Sequence, residues 1–338
     1  MNLDMLRENP YIREKKYDNI SSFNFTPKAF FEQHWDDMTI KARGLFVDTT
    51  NGKVVARSYD KFFNIEERPE TELRNLKNTI KFPVIAYKKE NGFLGLISYD
   101  KDTDDLLFTT KSSLDNDYVE YFKDIFYSKV DRKGIEKIKT YAKEADVTFV
   151  FEVIDIINDP HIIKYDESTI VLLDIIHNVI DTFYPLKYEV MASIAYSIGI
   201  KPKAKVITLY NWDDFVTFYR KVLTDYKNKI EGYVFVDDNN YMLKFKTPYY
   251  LFWKEMRKIV NSNKAIYTEV VKSIANNKRI YNARLATIFI KWFYENNMRK
   301  ENIIALRDKF YDDLNKIKED LSKIKATAAE CEEIFSEE

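Results

Sequence analysis

Apolar positions along this chain recur with two different periods, and the change between them divides it. Over residues 40–64, IKARGLFVDTTNGKVVARSYDKFFN, two alternating runs flank Asn51-Gly52. Asn-Gly supplies the turn of a tight hairpin, so the stretch predicts strand, turn and strand. Residues 82–111 continue in β pattern through FPVIAYKK, GFLGLISYD and DDLLFTTK. Residues 115–145 instead place apolar and aromatic side chains three and four apart, the spacing of one helix face. VTFVFEVID (147–155) is too short and too β-branched for a helix and predicts a strand. Around 186–206, KYEVMASIAYSIG predicts a helix ahead of a strand KAKVITLY, and NWDDFVTFYRKVLTDYKN predicts a helix capped by Asn211. EGYVFVDDNNYMLKFK (231–246) predicts a hairpin. From 249 to about 325 the helical period holds without a glycine or proline. The expected fold class is α+β: an antiparallel-sheet domain over 1–248, then an all-helical domain over 249–338.

Composition agrees with two domains, since 338 residues exceed the roughly 100–200 of a single one. Hydrophobic residues at 45% and aromatics at 15% supply a core and exclude disorder. Basic and acidic residues nearly cancel, 53 against 54, so a nucleic-acid partner needs a local basic groove. A single cysteine, Cys331, excludes an internal disulfide and a Cys-based zinc cluster and suits a reducing compartment. No apolar run approaches about 18 residues, and MNLDMLRENPYIREKKYD is too charged for a signal peptide. A cytoplasmic protein without a membrane partner is expected.

Only seven glycines occur, so each marks a backbone constraint. Gly92 closes KKENG (88–92) at a strand end, behind two lysines. A lysine there is either a solvated charge or a nucleophile held over a bound phosphate. In the hairpin, a four-residue loop at 237–240 would set Val236 opposite Tyr241, Tyr233 opposite Lys244 and Glu231 opposite Lys246. Opposed residues share a face, so Glu231, Lys244 and Lys246 converge while Val234, Leu243 and Phe245 turn to a core. Taken alone, that face is a solvated one with a cross-strand ion pair. Glu152 shares its strand face with Thr148, Val150 and Ile154, and Phe149, Phe151 and Val153 line the other. A carboxylate there is costly unless compensated, so it either sits in a buried salt bridge or faces a metal or nucleotide. Arg43, Lys61, Phe63 and Lys111 add cations and an aromatic at other strand ends.

Taken in order, these residues resemble the covalent nucleotidyltransferase superfamily of ATP-dependent ligases and mRNA capping enzymes. Within it the chain is similar to the RNA ligase family typified by the first RNA ligase of the T-even bacteriophages. The family's Lys-x-Asp-Gly signature is met by KENG at Lys89, its strand FE by Phe151-Glu152, its EGYV by Glu231 to Val234, and its KxK by Lys244 and Lys246. Its upstream ARG and KFFN elements are met by Arg43 and by Lys61 with Phe63. The likeness spans roughly residues 40–250. It implies an adenylyltransferase fold, and ATP and Mg²⁺ (or Mn²⁺) as nucleotide and metal. It further implies sealing of 5′-phosphate and 3′-hydroxyl RNA ends through a lysyl-AMP on Lys89. Lys244 and Lys246 would hold the α-phosphate, and Arg43 and Lys61 the β- and γ-phosphates. Phe63, Gly92, Lys111 and Gly232 would complete the ATP pocket, with Glu152 and Glu231 positioning the metal. A free lysine titrates near 10.4, so deprotonating Lys89 at neutral pH costs about 4–5 kcal/mol, which nearby cations reduce.

Asn91 departs from the family's Asp, and the same Lys-x-Asn-Gly form occurs in the ligase domain of fungal and plant tRNA ligases. The implied RNA is therefore a nicked or broken tRNA, its ends prepared by a separate kinase and phosphatase, with or without a 2′-phosphate at the acceptor. DNA ligases and capping enzymes place a β-rich OB-fold after the Lys-x-Lys strand, whereas helices follow here. A non-catalytic RNA-binding protein would need a broken key position, and every key lysine and glutamate is present. NNKRIYNAR (276–284) and KWFYENNMRK (291–300) interleave basic and aromatic residues, so the helical region reads as an RNA contact or as a scaffold.

Overall fold

A computed structural model describes residues 3–261, 283–296 and 302–321, with side chains up to Leu314. From the N-terminus run α1 (Leu3–Glu8), β1 (Ile12–Tyr17), β2 (Ile20–Phe25), α2 (Pro27–Phe31), α3 (Asp37–Lys41), β3 (Leu45–Asp48), β4 (Val54–Arg57), β5 (Phe63–Asn64) and α4 (Leu73–Thr79). Then come β6 (Val84–Lys89), β7 (Phe93–Asp100), β8 (Asp105–Thr110), α5 (Asp117–Lys129), α6 (Arg132–Ala145), β9 (Val147–Ile154), β10 (Thr169–His177), α7 (Tyr188–Ser197), β11 (Lys201–Pro202) and β12 (Lys205–Leu209). The chain continues through α8 (Trp212–Thr224), β13 (Gly232–Val236), β14 (Met242–Lys246), α9 (Pro248–Asn261), α10 (Ala283–Glu295) and α11 (Ile303–Leu321). Two units share these elements: Met1–Leu76, Gly92–Asp159 and Tyr165–Val206 in the first, Lys77–Asn91, Pro160–Lys164 and Ile207–Glu338 in the second.

The first unit holds the sheets β1-β2-β3-β4 and β11-β10-β9-β7-β8. Both are antiparallel apart from the short β10–β11 pair. Asn51-Gly52 lies in the β3–β4 turn as predicted, Gly52 at φ +74°. The helical period of 115–145 breaks once, because Asp131 accepts from the Gly134 amide at 2.7 Å and starts α6 afresh. The apolar faces of α5 and α6 pack with Phe149, Phe151 and Val153, the side of β9 predicted to be core. Burying each such aromatic contributes about 1.5–3 kcal/mol. β1, β2 and β10 lie outside the stretches predicted above.

In the second unit β12, β6, β13 and β14 are neighbours in one sheet. Helix α8 begins at the predicted Asn211 cap, which accepts from the Asp214 amide at 2.9 Å. Its Phe215 and Tyr219 rings lie 5.3 and 4.8 Å from Phe235 and Phe245. The three helices beyond the sheet meet around buried Trp253, whose ring is 5.3 Å from Phe289 of α10, itself 5.2 Å from Phe310 of α11. The stretch 276–284 is described only at its last two residues, and 291–300 only to Asn296; Cys331 lies outside the described residues. No helix among the described residues is long and apolar enough to cross a membrane.

The β13–β14 hairpin departs from expectation by one residue. Val236 faces Met242, Val234 faces Lys244 and Gly232 faces Lys246, so the loop runs 237–241 and includes Tyr241. Asp237 is the cause. Its Oδ1 accepts from the Asn239 and Tyr241 amides, both at 2.8 Å, and its Oδ2 from the Lys81 amide at 2.9 Å. The added residue moves Tyr233 onto the core face with Phe235, Leu243 and Phe245, and leaves Val234 beside the two lysines. Asp237→Ala removes three hydrogen bonds and is expected to lower stability by about 2 kcal/mol. Urea denaturation checks this, and a change within error of zero would show that Asp237 does not set the loop.

Candidate active site

Strand register brings the second unit's lysines together. Lys89, at the end of β6, lies opposite Gly232, and Gly232 in turn lies opposite Lys246 on the far side. A glycine is required there, because a Cβ would stand 2.1 Å from the Phe245 carbonyl oxygen. Glu231, one residue before β13, joins the two lysines across this gap. Its Oε2 is 3.0 Å from Lys89 Nζ and its Oε1 is 2.9 Å from Lys246 Nζ. Oε2 also accepts from Asn91 Nδ2 at 2.8 Å. Burial works to raise the Glu231 carboxyl, but the Lys89 and Lys246 charges outweigh it and hold it below the usual range. The predicted convergence of Glu231 with Lys246 is therefore present, though Glu231 itself faces Thr247, whose amide donates to its carbonyl at 3.0 Å. Lys244 lies two residues back on β14, half-buried like Lys246, while Leu243 and Phe245 point to the core.

Two residues of α9 complete this group, neither marked by any spacing in the sequence. Lys246 Nζ lies 4.5 Å from the centre of the Tyr250 ring. Burial, then the Glu231 charge, pushes the Tyr250 hydroxyl up to about 12. One turn on, Lys254 is pushed below the usual lysine range by burial and then by Lys246.

The first unit gathers the other predicted cations. Arg43 Nη1 reaches the Ser58 hydroxyl and the Tyr59 carbonyl at 3.5 and 3.4 Å. Its guanidinium is depressed by burial and partly restored by the Glu152 charge. Lys61 Nζ stands 3.9 Å from the centre of the Phe63 ring and 4.9 Å from that of Trp35, and the Arg68 guanidinium is 4.6 Å from Phe63. Burial pushes Lys61 down to about 8; Glu67 opposes this, and Arg43, Arg68 and Lys111 add to it. Lys111, just beyond β8, is depressed by burial and then by Arg43 and Arg13. Among the described residues, no carboxylate forms an ion pair with Arg43, Lys61 or Lys111. Clustered cations without a matching carboxylate are suited to an anion that supplies the missing charge. Trp35 and Arg68, the latter ion-paired with Glu70, border this group and lie in no recognised motif.

Glu152 sits in the central strand β9, buried, with Oε1 accepting from the Gly92 amide at 2.8 Å. Gly92 is required by close approach rather than by a positive φ: a Cβ would stand 2.0 Å from the Val153 carbonyl oxygen. The two carboxylates expected to position the metal, Glu152 and Glu231, both bond to groups of the protein. Glu231 has both oxygens engaged, and among the described residues no three His, Cys, Asp or Glu side chains converge on a metal position. What the second unit can do chemically is hold one primary amine beside a second cation. That is the requirement for an amine attacking a phosphoryl group whose charge the neighbour neutralises.

A family model described as RNA ligase matches residues 41–250. The tRNA ligase of Candida albicans is 27% identical over 263 residues, covering 66% of this chain and 31% of that protein. The tRNA ligase 1 of Schizosaccharomyces pombe is 25% identical over 338 residues, 88% of this chain and 40% of that protein. The chain thus spans about a third to two fifths of the length of these relatives. Among solved structures, an archaeal ATP-dependent RNA ligase superposes with a TM-score of 0.57 at 11% identity, over 93% of this chain and 86% of that one. A putative ATP-dependent DNA ligase from Aquifex aeolicus gives 0.51 at 14% identity, over 99% and 86%. At such identities the likeness is one of fold, the α+β fold expected from the sequence.

Lys61 offers a test of the anion-binding cluster. Its protonated form attracts an anion and its neutral form does not, so affinity must fall as pH rises through about 8. Sulfate keeps a constant charge between about pH 7 and 9, where free lysine stays protonated. Titration calorimetry should show sulfate binding weakening over that range in the wild type and not in Lys61→Met. Equal pH dependence in both would show that Lys61 is not the responsible group.

Proposed function

The chain belongs to the RNA ligase family, and we propose that it seals RNA ends in three steps with AMP carried on Lys89. The observation that carries this reading is the pair Lys89 and Lys246 held on one buried carboxylate across Gly232. In the first step the Lys89 amine attacks the α-phosphorus of ATP. A nitrogen–phosphorus bond forms, the bond to pyrophosphate breaks, and the amine loses a proton. Lys246 and Lys244 hold the α-phosphate oxygens and lower the cost of an uncharged amine beside them. Glu231 fixes the direction of the Lys89 side chain. By the family resemblance, Arg43 and Lys61 are the residues for the β- and γ-phosphates, and Phe63, Gly92, Lys111 and Gly232 those for the ATP pocket. Magnesium or manganese enters with ATP as part of the substrate. In the second step AMP passes to an RNA 5′-phosphate, and in the third a 3′-hydroxyl displaces AMP and closes the strand.

The tRNA ligase relatives and Asn91 together favour a broken tRNA as substrate; we place the reaction in the cytoplasm, after a separate kinase and phosphatase have prepared the ends. We assign the adenylylation chemistry to residues 1–248, with 249–338 as the helical region that supports it. Acceptor ends with and without a 2′-phosphate, offered in parallel, decide between the repair and the splicing form of the reaction.

The decisive experiment incubates the protein with α-labelled ATP and Mg²⁺, then with RNA. The wild type should carry label and seal 5′-phosphate RNA. Lys89→Ala should carry none yet still join RNA supplied with a 5′-adenylate. Lys89→Arg should be equally inactive in the first step, since a guanidinium stays protonated. Lys246→Ala should slow both stages by about a hundredfold, as losing a charge-stabilising donor does elsewhere. Label appearing on Lys89→Ala would end the assignment of Lys89 as nucleophile.

A further inference from the structure

Arg307 lies in α11, far from any motif, yet it is only 4% exposed. Its guanidinium sits 5.8 and 5.9 Å from the Tyr249 and Trp253 ring centres. Its Nη1 donates to the Ile162 carbonyl at 2.6 Å. That carbonyl belongs to the same peptide group as the Ile163 amide. The Ile162 and Ile163 amides both donate to Asn91 Oδ1 at 3.1 Å. Asn91 Nδ2 then donates to Glu231 Oε2, the oxygen that holds Lys89. Lys164 adds a second tie from this segment to α11 through Asp308 at 2.8 Å. All these residues lie within the second unit.

The chemistry of each link matters. A cation donating to one end of a peptide group polarises it and strengthens the hydrogen bond its N–H makes at the other end. Asn91 is the link that needs a carboxamide. One end accepts two amides and the other donates to a carboxylate, and an aspartate could do only the first. With its Oδ1 gripped twice, the Asn91 amide plane is fixed, and its Nδ2 fixes Glu231 Oε2.

We propose that Arg307 is a positioning residue for Lys89, acting through the Ile162–Ile163 peptide, Asn91 and Glu231. The helical region thereby sets the orientation of the amine that attacks ATP. This rests on the proposed lysyl-AMP chemistry. Losing Arg307 slackens the grip on Asn91 and lets Glu231 and the Lys89 side chain rotate. The rate of amine attack falls while nucleotide binding does not.

The test is single-turnover formation of lysyl-AMP by wild type, Arg307→Met, Asn91→Ala and the double variant, each at a series of ATP concentrations. Each single change should slow the maximal rate about tenfold, the worth of one charge-assisted hydrogen bond, with the ATP KM within about twofold. The double variant should be no slower than Asn91→Ala, because the two act along one path. Arg307→Lys keeps one donor and should recover part of the loss; it replaces Arg307→Met in the cycle should circular dichroism show that variant unfolded. A wild-type rate in the Arg307 variant, or losses that multiply in the double variant, overturns the inference. A wild type that forms no lysyl-AMP would instead overturn the proposed function.

Discussion

A buried carboxylate with both oxygens engaged by ammonium groups is the constraint from which the second unit is built. Removing Glu231 from water without partners would cost several kcal/mol, so Lys89, Lys246 and Asn91 must all reach it. They reach it only because three strands hold Lys89, Gly232 and Lys246 in one line. The line depends on the hairpin register, the register on the Asp237 loop, and the close approach of β14 on the absence of a side chain at Gly232. Local turn chemistry thus controls charge placement some distance away.

The first unit solves a different electrostatic problem and leaves it unfinished. Burial depresses Arg43, Lys61 and Lys111, and the Arg43 charge depresses both lysines further, with Glu152 relieving Arg43 and Glu67 relieving Lys61 only in part. A cation cluster of this kind opposes folding and favours anion binding; such local conflict is what functional sites retain where the rest of a fold is self-consistent. Aromatic faces at Phe63 and Trp35 cover Lys61 and keep part of its charge from water.

Much of this was legible in the sequence, for identifiable reasons. Glu152 could be singled out because a carboxylate in an apolar strand demands an explanation, and β9 is indeed the central strand of its sheet. Lys89, Glu231 and Lys246 were legible through the order of short motifs. The hairpin register was not, because Asp237 completes its loop with side-chain bonds that no alternation pattern records. IREKKY in β1 escaped notice because a mostly polar strand has no period to detect. Tyr250, Trp35 and Arg307 escaped because their roles are contacts with residues distant in sequence. Tyr250 and Arg307 lie on amphipathic helices, where an aromatic or an arginine looks the same whether it faces a site or a core.

The signature Lys89-Glu90-Asn91-Gly92 shows why neighbouring residues in it are not interchangeable. Asn91 is committed to the second unit, with the Ile162 and Ile163 amides on one end and Glu231 on the other. Gly92 is committed to the first, its amide on Glu152 and its Cα against the Val153 carbonyl. The division between the two units falls on the peptide bond joining them. A side chain at 92 would collide with β9, and a side chain at 91 lacking either donor or acceptor would break a connected set of hydrogen bonds. The glycine is demanded by sterics and the asparagine by hydrogen-bond valence.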